Sequence, residues 1–142
     1  MALNFHHLGI VVRDIESAGK LYGDMLGLKL WKHGISEDKN NGVLLLSLLV
    51  GNTFIELLQP TRPDNRYAKH LGEKGEGLFH LCFNSDDFDN EVNAWKEKGY
   101  IVEEEMAGAF EGPPFRLAWI SPESTTGVWI ELADNAGRSD HT

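Results

Sequence analysis

The sequence predicts an α+β fold made of two βαβββ units, and three observations carry that expectation. The order of β-prone and helical segments runs twice along the chain. The first strands of the two runs match at one offset, and the last strands match at nearly the same offset.

The first run opens with Phe5 to Val12, apolar and β-prone, and stops at Asp14, whose carboxylate can cap the amides of a following helix. In that helix Ile15, Ala18, Tyr22 and Met25 recur at helical spacing and form one apolar face, and Gly27 ends it. Three strands follow at Leu28 to His33, Val43 to Val50 and Thr53 to Gln59, with Lys39-Asn40-Asn41-Gly42 and Gly51-Asn52 as turns. A Pro-containing loop and a short helix around Tyr67 to Leu71 lead into the second run.

That run starts at Leu78 to Asn84, with Asp86-Asp87 as cap chemistry and Phe88, Val92 and Trp95 as the helical stripe, ended by Gly99. Strands at Tyr100 to Glu105, Phe115 to Ser121 and Val128 to Ala133 complete it, for eight strands in all. The 142 residues, 42% of them hydrophobic, suit one domain over 1–142, with module one at about 1–60 and module two at about 77–134.

Composition narrows the function. A net charge of −9 disfavours nucleic acid and anionic membrane, which bind through Lys and Arg, and favours a small-molecule substrate. No apolar run approaches the roughly 20 residues that span a bilayer, and the amino terminus lacks signal-peptide character, so a cytoplasmic protein is expected. A single cysteine, Cys82, leaves any metal to His and carboxylate ligands.

The repeat supplies such ligands. His7-Leu8-Gly9-Ile10, with Asp14-Ile15 and Tyr22, matches His80-Leu81-Cys82-Phe83, Asp87-Phe88 and Trp95 at an offset of 73 (80 − 7). Phe54-Ile55-Glu56-Leu57 matches Trp129-Ile130-Glu131-Leu132 at 75 (131 − 56). Both glutamates sit among apolar strand residues, where an uncompensated carboxylate costs several kcal/mol. A pseudo-twofold arrangement would gather His7, Glu56, His80 and Glu131 into one set for a divalent metal: Mn, Fe, Co, Ni, Zn or Mg. Strand parity puts Gly9 and Cys82 on the ligand face, has Phe54 and Trp129 line the cleft as substrate contacts, and turns His6 away from His7.

With these motifs the chain resembles the vicinal oxygen chelate superfamily, which includes glyoxalases, methylmalonyl-CoA epimerases, extradiol dioxygenases and bleomycin-resistance proteins. Within it the chain is most similar to methylmalonyl-CoA epimerases, through His7-Leu8-Gly9-Ile10-Val11-Val12, Ile55-Glu56-Leu57-Leu58-Gln59-Pro60, Gly75-Glu76-Gly77-Leu78-Phe79-His80 and Gly127-Val128-Trp129-Ile130-Glu131-Leu132. The resemblance implies paired βαβββ modules in one curved eight-stranded mixed sheet around a shared cleft. It implies metal positions at His7, Glu56, His80 and Glu131, with Glu131 as the base for a substrate α-proton, and commonly a homodimer. Against the epimerase pattern, Val43 to Leu49 carries no carboxylate, Phe79 precedes His80 where a second His is common, and Glu123 stands where a basic residue is usual.

Three alternatives follow from the resemblance. A glyoxalase-type lactoylglutathione lyase uses the same ligand pattern, and a resistance protein would only sequester its ligand. Extradiol cleavage needs two His and one Glu, against which Glu56 is a fourth protein ligand. Arg116 is a candidate for a substrate carboxylate or phosphate, and Met106 to Pro114 for a lid. His33, His70 and His141 have no repeat partners and are assigned no chemistry, and the tail from Asn135 to Thr142 is expected to fray.

Overall fold

A computed structural model describes residues 3–30, 34–108 and 114–134. The expectations for His33, His141, the central part of the Met106 to Pro114 loop and the tail lie outside these residues.

β1 (Asn4–Val11) leads into α1 (Ile15–Leu26), whose first turn is capped by the Asp14 carboxylate on the Glu16 amide and whose end is Gly27 at φ 67. Ile15 is buried and Ala18 and Tyr22 pack beside it, but Met25 is 60% exposed and lies outside that apolar cluster. β2 (Lys29–Leu30) and β3 (Ser36–Asp38) then both pair with β4 (Val43–Val50).

The expected strand from Leu28 to His33 is thus β2 alone within the described residues, and β3 brings the strand count to nine. The cause of β3 is the buried Asp38 carboxylate, which accepts hydrogen bonds from the Asn40 and Asn41 amides and from the Asn41 side chain. That turn folds the chain straight back onto β4.

β5 (Thr53–Pro60) pairs with β4, and α2 (Arg66–Lys74), capped by the Asn65 side chain on the Ala68 amide, crosses to β6 (Gly77–Ser85). α3 (Phe88–Glu97) follows. Its Asp87 carboxylate binds the Asn90 side chain rather than a backbone amide, and Ser85 Oγ takes the Asp87 N–H. β7 (Glu103–Ala107) starts three residues later than expected because the Tyr100 amide closes the helix end on the Trp95 carbonyl. β8 (Phe115–Ile120), a 3₁₀ turn at Pro122–Ser124 and β9 (Trp129–Asp134) end the fold.

The main sheet path is β2-β4-β5-β1-β6-β9-β8-β7. Its centre is an antiparallel β1·β6 pair, flanked by parallel β1·β5 and β6·β9 pairs, so the two modules mirror each other across the seam. On one face α1 covers Leu46, Leu48 and Leu57, and α3 covers Ala118 and Leu132. Burying a leucine such as Leu57 contributes about 1.5–3 kcal/mol. The other face gathers Val11, Leu58, Cys82, Leu117, Trp119 and Ala133, with Tyr67 of α2 against them. Among the described residues no helix is long and apolar enough to cross a membrane.

Candidate metal centre

The four central strands carry the four repeat residues at matched registers. Gly9 opposes Glu56 on β1·β5, and Cys82 opposes Glu131 on β6·β9. Across the seam His7 opposes Cys82 and Gly9 opposes His80. Each His therefore sits two residues from the position facing a Glu, on the same sheet face, and the pseudo-twofold axis brings all four side chains together.

They meet closely. His7 Nε2 lies 2.9 Å from His80 Nε2, 3.2 Å from Glu56 Oε1 and 3.8 Å from Glu131 Oε1. His80 Nε2 lies 3.7 Å from Glu56 Oε1 and 3.4 Å from Glu131 Oε1. Neighbouring ligands on an ion bonded at about 2.1 Å stand about 3.0 Å apart at right angles and about 3.4 Å apart at the tetrahedral angle. The closer separations fit those values, and the donor atoms of His7, Glu56 and His80 all lie within 4.8 Å of one another, with Glu131 Oε1 beside His80.

The electrostatics agree with a ligand set. His80 is fully buried, and desolvation, aided by His7, pushes its imidazole down to about 3, so it stays neutral with a lone pair to offer. Burial likewise pushes the Tyr67 phenol well above its ordinary value, with the Glu131 carboxylate adding to the effect.

Space for His80 depends on Gly9. A Cβ at that position would lie 2.4 Å from His80 Cε1 and 2.6 Å from Nδ1. Phe54, expected at the cleft, stacks on the His7 ring at 4.7 Å and 19°. Trp129 stacks on Phe79 and meets Trp119 edge-on, one ring removed from His80, which Trp119 itself meets.

Arg116 lies on the opposite face, over the Phe88 ring, with Nη1 2.7 Å from Asp89 and Nη2 3.0 Å from Asp134. Parity along β8 explains the placement: Leu117 and Trp119 take the cleft side, so Arg116 and Ala118 take the helix side. Arg116 is therefore a clamp between α3 and the sheet. Arg116→Ala is expected to lower stability by at most about 1 kcal/mol and to leave substrate KM unchanged; thermal melts and steady-state kinetics check both.

Two features were not anticipated. One is a cluster beside His80: Trp119 Nε1 and Arg66 Nη1 both donate to Glu105 Oε1, at 2.7 and 2.5 Å, and the Arg66 guanidinium lies over Trp119 and Trp129. The spacing of Glu103 and Glu105 on one strand face was the only available signal. The other is His6, expected to point away, whose Nδ1 lies 2.8 Å from His7 Nδ1. The register of β1 against β6 skips from Phe5 to His7, so a bulge at His6 breaks the alternation that parity assumed. His6, His7 and Cys82 also form a group with mutually close donor atoms.

Paired βαβββ modules around a cleft floored by two His and two Glu define a protein of the vicinal oxygen chelate fold. Residues 6–115 match the Glyoxalase/Bleomycin resistance protein/Dioxygenase superfamily, and the chain belongs to that superfamily. It is 32% identical over 135 residues to the mitochondrial methylmalonyl-CoA epimerase of Bos taurus, covering 89% of this chain and 71% of that one. It is 29% identical to the Bacillus subtilis protein YqjC, covering 92% and 91%. Among solved structures, the methylmalonyl-CoA epimerase of Mycobacterium tuberculosis superposes with a TM-score of 0.78 at 27% identity, over 92% of this chain and 87% of that one. A variant of the Streptomyces coelicolor epimerase in complex with 2-nitronate-propionyl-CoA gives 0.82 at 25%, over 95% and 99%.

Proposed function

We propose that this chain is a divalent-metal-dependent epimerase or isomerase that moves the α-proton of a carbonyl compound or acyl-CoA thioester. The carrying observation is the convergence of His7, Glu56, His80 and Glu131 within hydrogen-bonding and ion-pair distance on the epimerase scaffold. A divalent ion bound there would polarise the substrate carbonyl and stabilise the charge that develops on its oxygen. The chain's own residues do the rest. His7 and His80 supply ring nitrogens, Phe54 and Trp129 wall the cleft, and Glu131 takes the α-proton, which it returns to the neighbouring carbon in an isomerisation and which a proton delivered to the opposite face replaces in an epimerisation.

One observation favours a second reading. β4 carries no carboxylate, and Ser47 stands opposite Glu56, so no second acid or base faces the substrate from that strand. Glyoxalase-type isomerisation of a glutathione hemithioacetal, with Glu131 as the one shuttling carboxylate, suits that geometry. The proposal includes a cytoplasmic homodimer in which each subunit holds a complete site.

The test is α-proton exchange of methylmalonyl-CoA in deuterated water, with thermal melts run alongside. Added Co²⁺ or Mn²⁺ is expected to raise the Tm, as ligand linkage requires, and to switch on exchange. A raised Tm without exchange rejects the acyl-CoA substrate and moves the test to methylglyoxal with glutathione. If neither responds, the metalloenzyme reading is wrong.

A further inference from the structure

We infer that His6 is a positioning residue that holds His7 in the tautomer metal ligation needs. The inference rests on the metal reading above. The two central strands carry matching irregularities: the β1·β6 register skips His6 on β1, and between Gly9 and Ile10 it skips Phe79 on β6. His6 and Phe79 are equivalent under the internal repeat, each directly before a candidate ligand. At a bulge the skipped side chain turns toward its neighbour, so His6 meets His7 edge-on at 5.0 Å and Phe79 meets His80 edge-on at 5.4 Å.

The two bulges differ in chemistry. His6 offers a ring nitrogen to His7 Nδ1 at 2.8 Å. Phe79 offers none, and among the described residues His80 Nδ1 is buried without a hydrogen-bond partner.

His7 Nε2 is the nitrogen that faces the other candidate ligands, 2.9 Å from His80 Nε2 and 3.2 Å from Glu56 Oε1. Ligation through that nitrogen requires the His7 hydrogen on Nδ1, where a hydrogen-bond acceptor fixes it.

His6 Nδ1, 2.8 Å away, accepts from His7 Nδ1–H and leaves the His7 Nε2 lone pair for the ion. Stacking on Phe54 fixes the plane of the ring and His6 fixes its proton. His80 Nδ1 has no such partner, so its tautomer is not fixed in this way.

The test compares His6→Phe, which turns the first bulge into a copy of the second, with His6→Gln, whose amide oxygen can accept from His7. The readouts are the imidazole ¹⁵N resonances of His7 in metal-free protein and the Co²⁺ dissociation constant by chelator competition, after melts show both variants folded. His6→Phe is expected to abolish the protonated-Nδ1 signature of His7 and to weaken Co²⁺ binding by about 10–100-fold, with His6→Gln within about threefold of wild type. An unchanged His7 tautomer in His6→Phe, or a Gln variant as impaired as the Phe variant, overturns the assignment. Wild-type protein that binds no Co²⁺ would reject the metal reading, while the metal-free ¹⁵N comparison still decides the role of His6.

Discussion

Replacing Glu131 by Gln is expected to slow metal-dependent α-proton exchange by roughly 10²–10⁴-fold, the usual contribution of a positioned general base. Glu131 sits on β9 opposite Cys82, is 7% exposed, and presents Oε1 3.4 Å from His80 Nε2. Gln keeps the shape and one oxygen but removes the capacity to take a proton, so the fold and the rise in Tm with added metal should persist. Glu56 is its repeat equivalent and provides the control. If Glu131 alone is the base, Glu56→Gln retains exchange within about tenfold. Equal losses in the two variants would show that both carboxylates serve only to hold the site.

The second large effect is expected at Gly9. Gly9→Ala would bring a Cβ to 2.4 Å from His80 Cε1, well inside van der Waals contact. His80 has little room to retreat, because Trp119 meets its ring edge-on at 5.5 Å, Phe79 lies at 5.4 Å, and His7 closes the third side. Overpacking of this kind costs about 1–3 kcal/mol. The displaced imidazole should also weaken Co²⁺ binding by at least about 100-fold, because it supplies one of only two nitrogens. Melting and metal titration of the one variant read both effects. An unchanged metal affinity would mean that His80 is not held where the structure puts it.

Much of the centre was legible because it is periodic. Strand alternation and the offsets of 73 and 75 placed His7, Glu56, His80 and Glu131 in equivalent positions, and the matched registers bring them together. Helix caps were legible where a short-range hydrogen bond makes them, as at Asp14, and not where a neighbour competes, as at Asp87 with Ser85 and Asn90. β3 was missed because a buried aspartate turn, not β-propensity, creates it.

The sequence alone determined the repeat, the paired modules and the four converging side chains, because each depends on spacing along one strand or helix. The tertiary structure decided which neighbours those residues meet. It turned Arg116 to the helix face, set Arg66 of α2 over two tryptophans, and let His6 reach His7 through a bulge. These contacts join segments many residues apart or break the two-residue alternation at one position, and neither leaves a period for a linear pattern to carry.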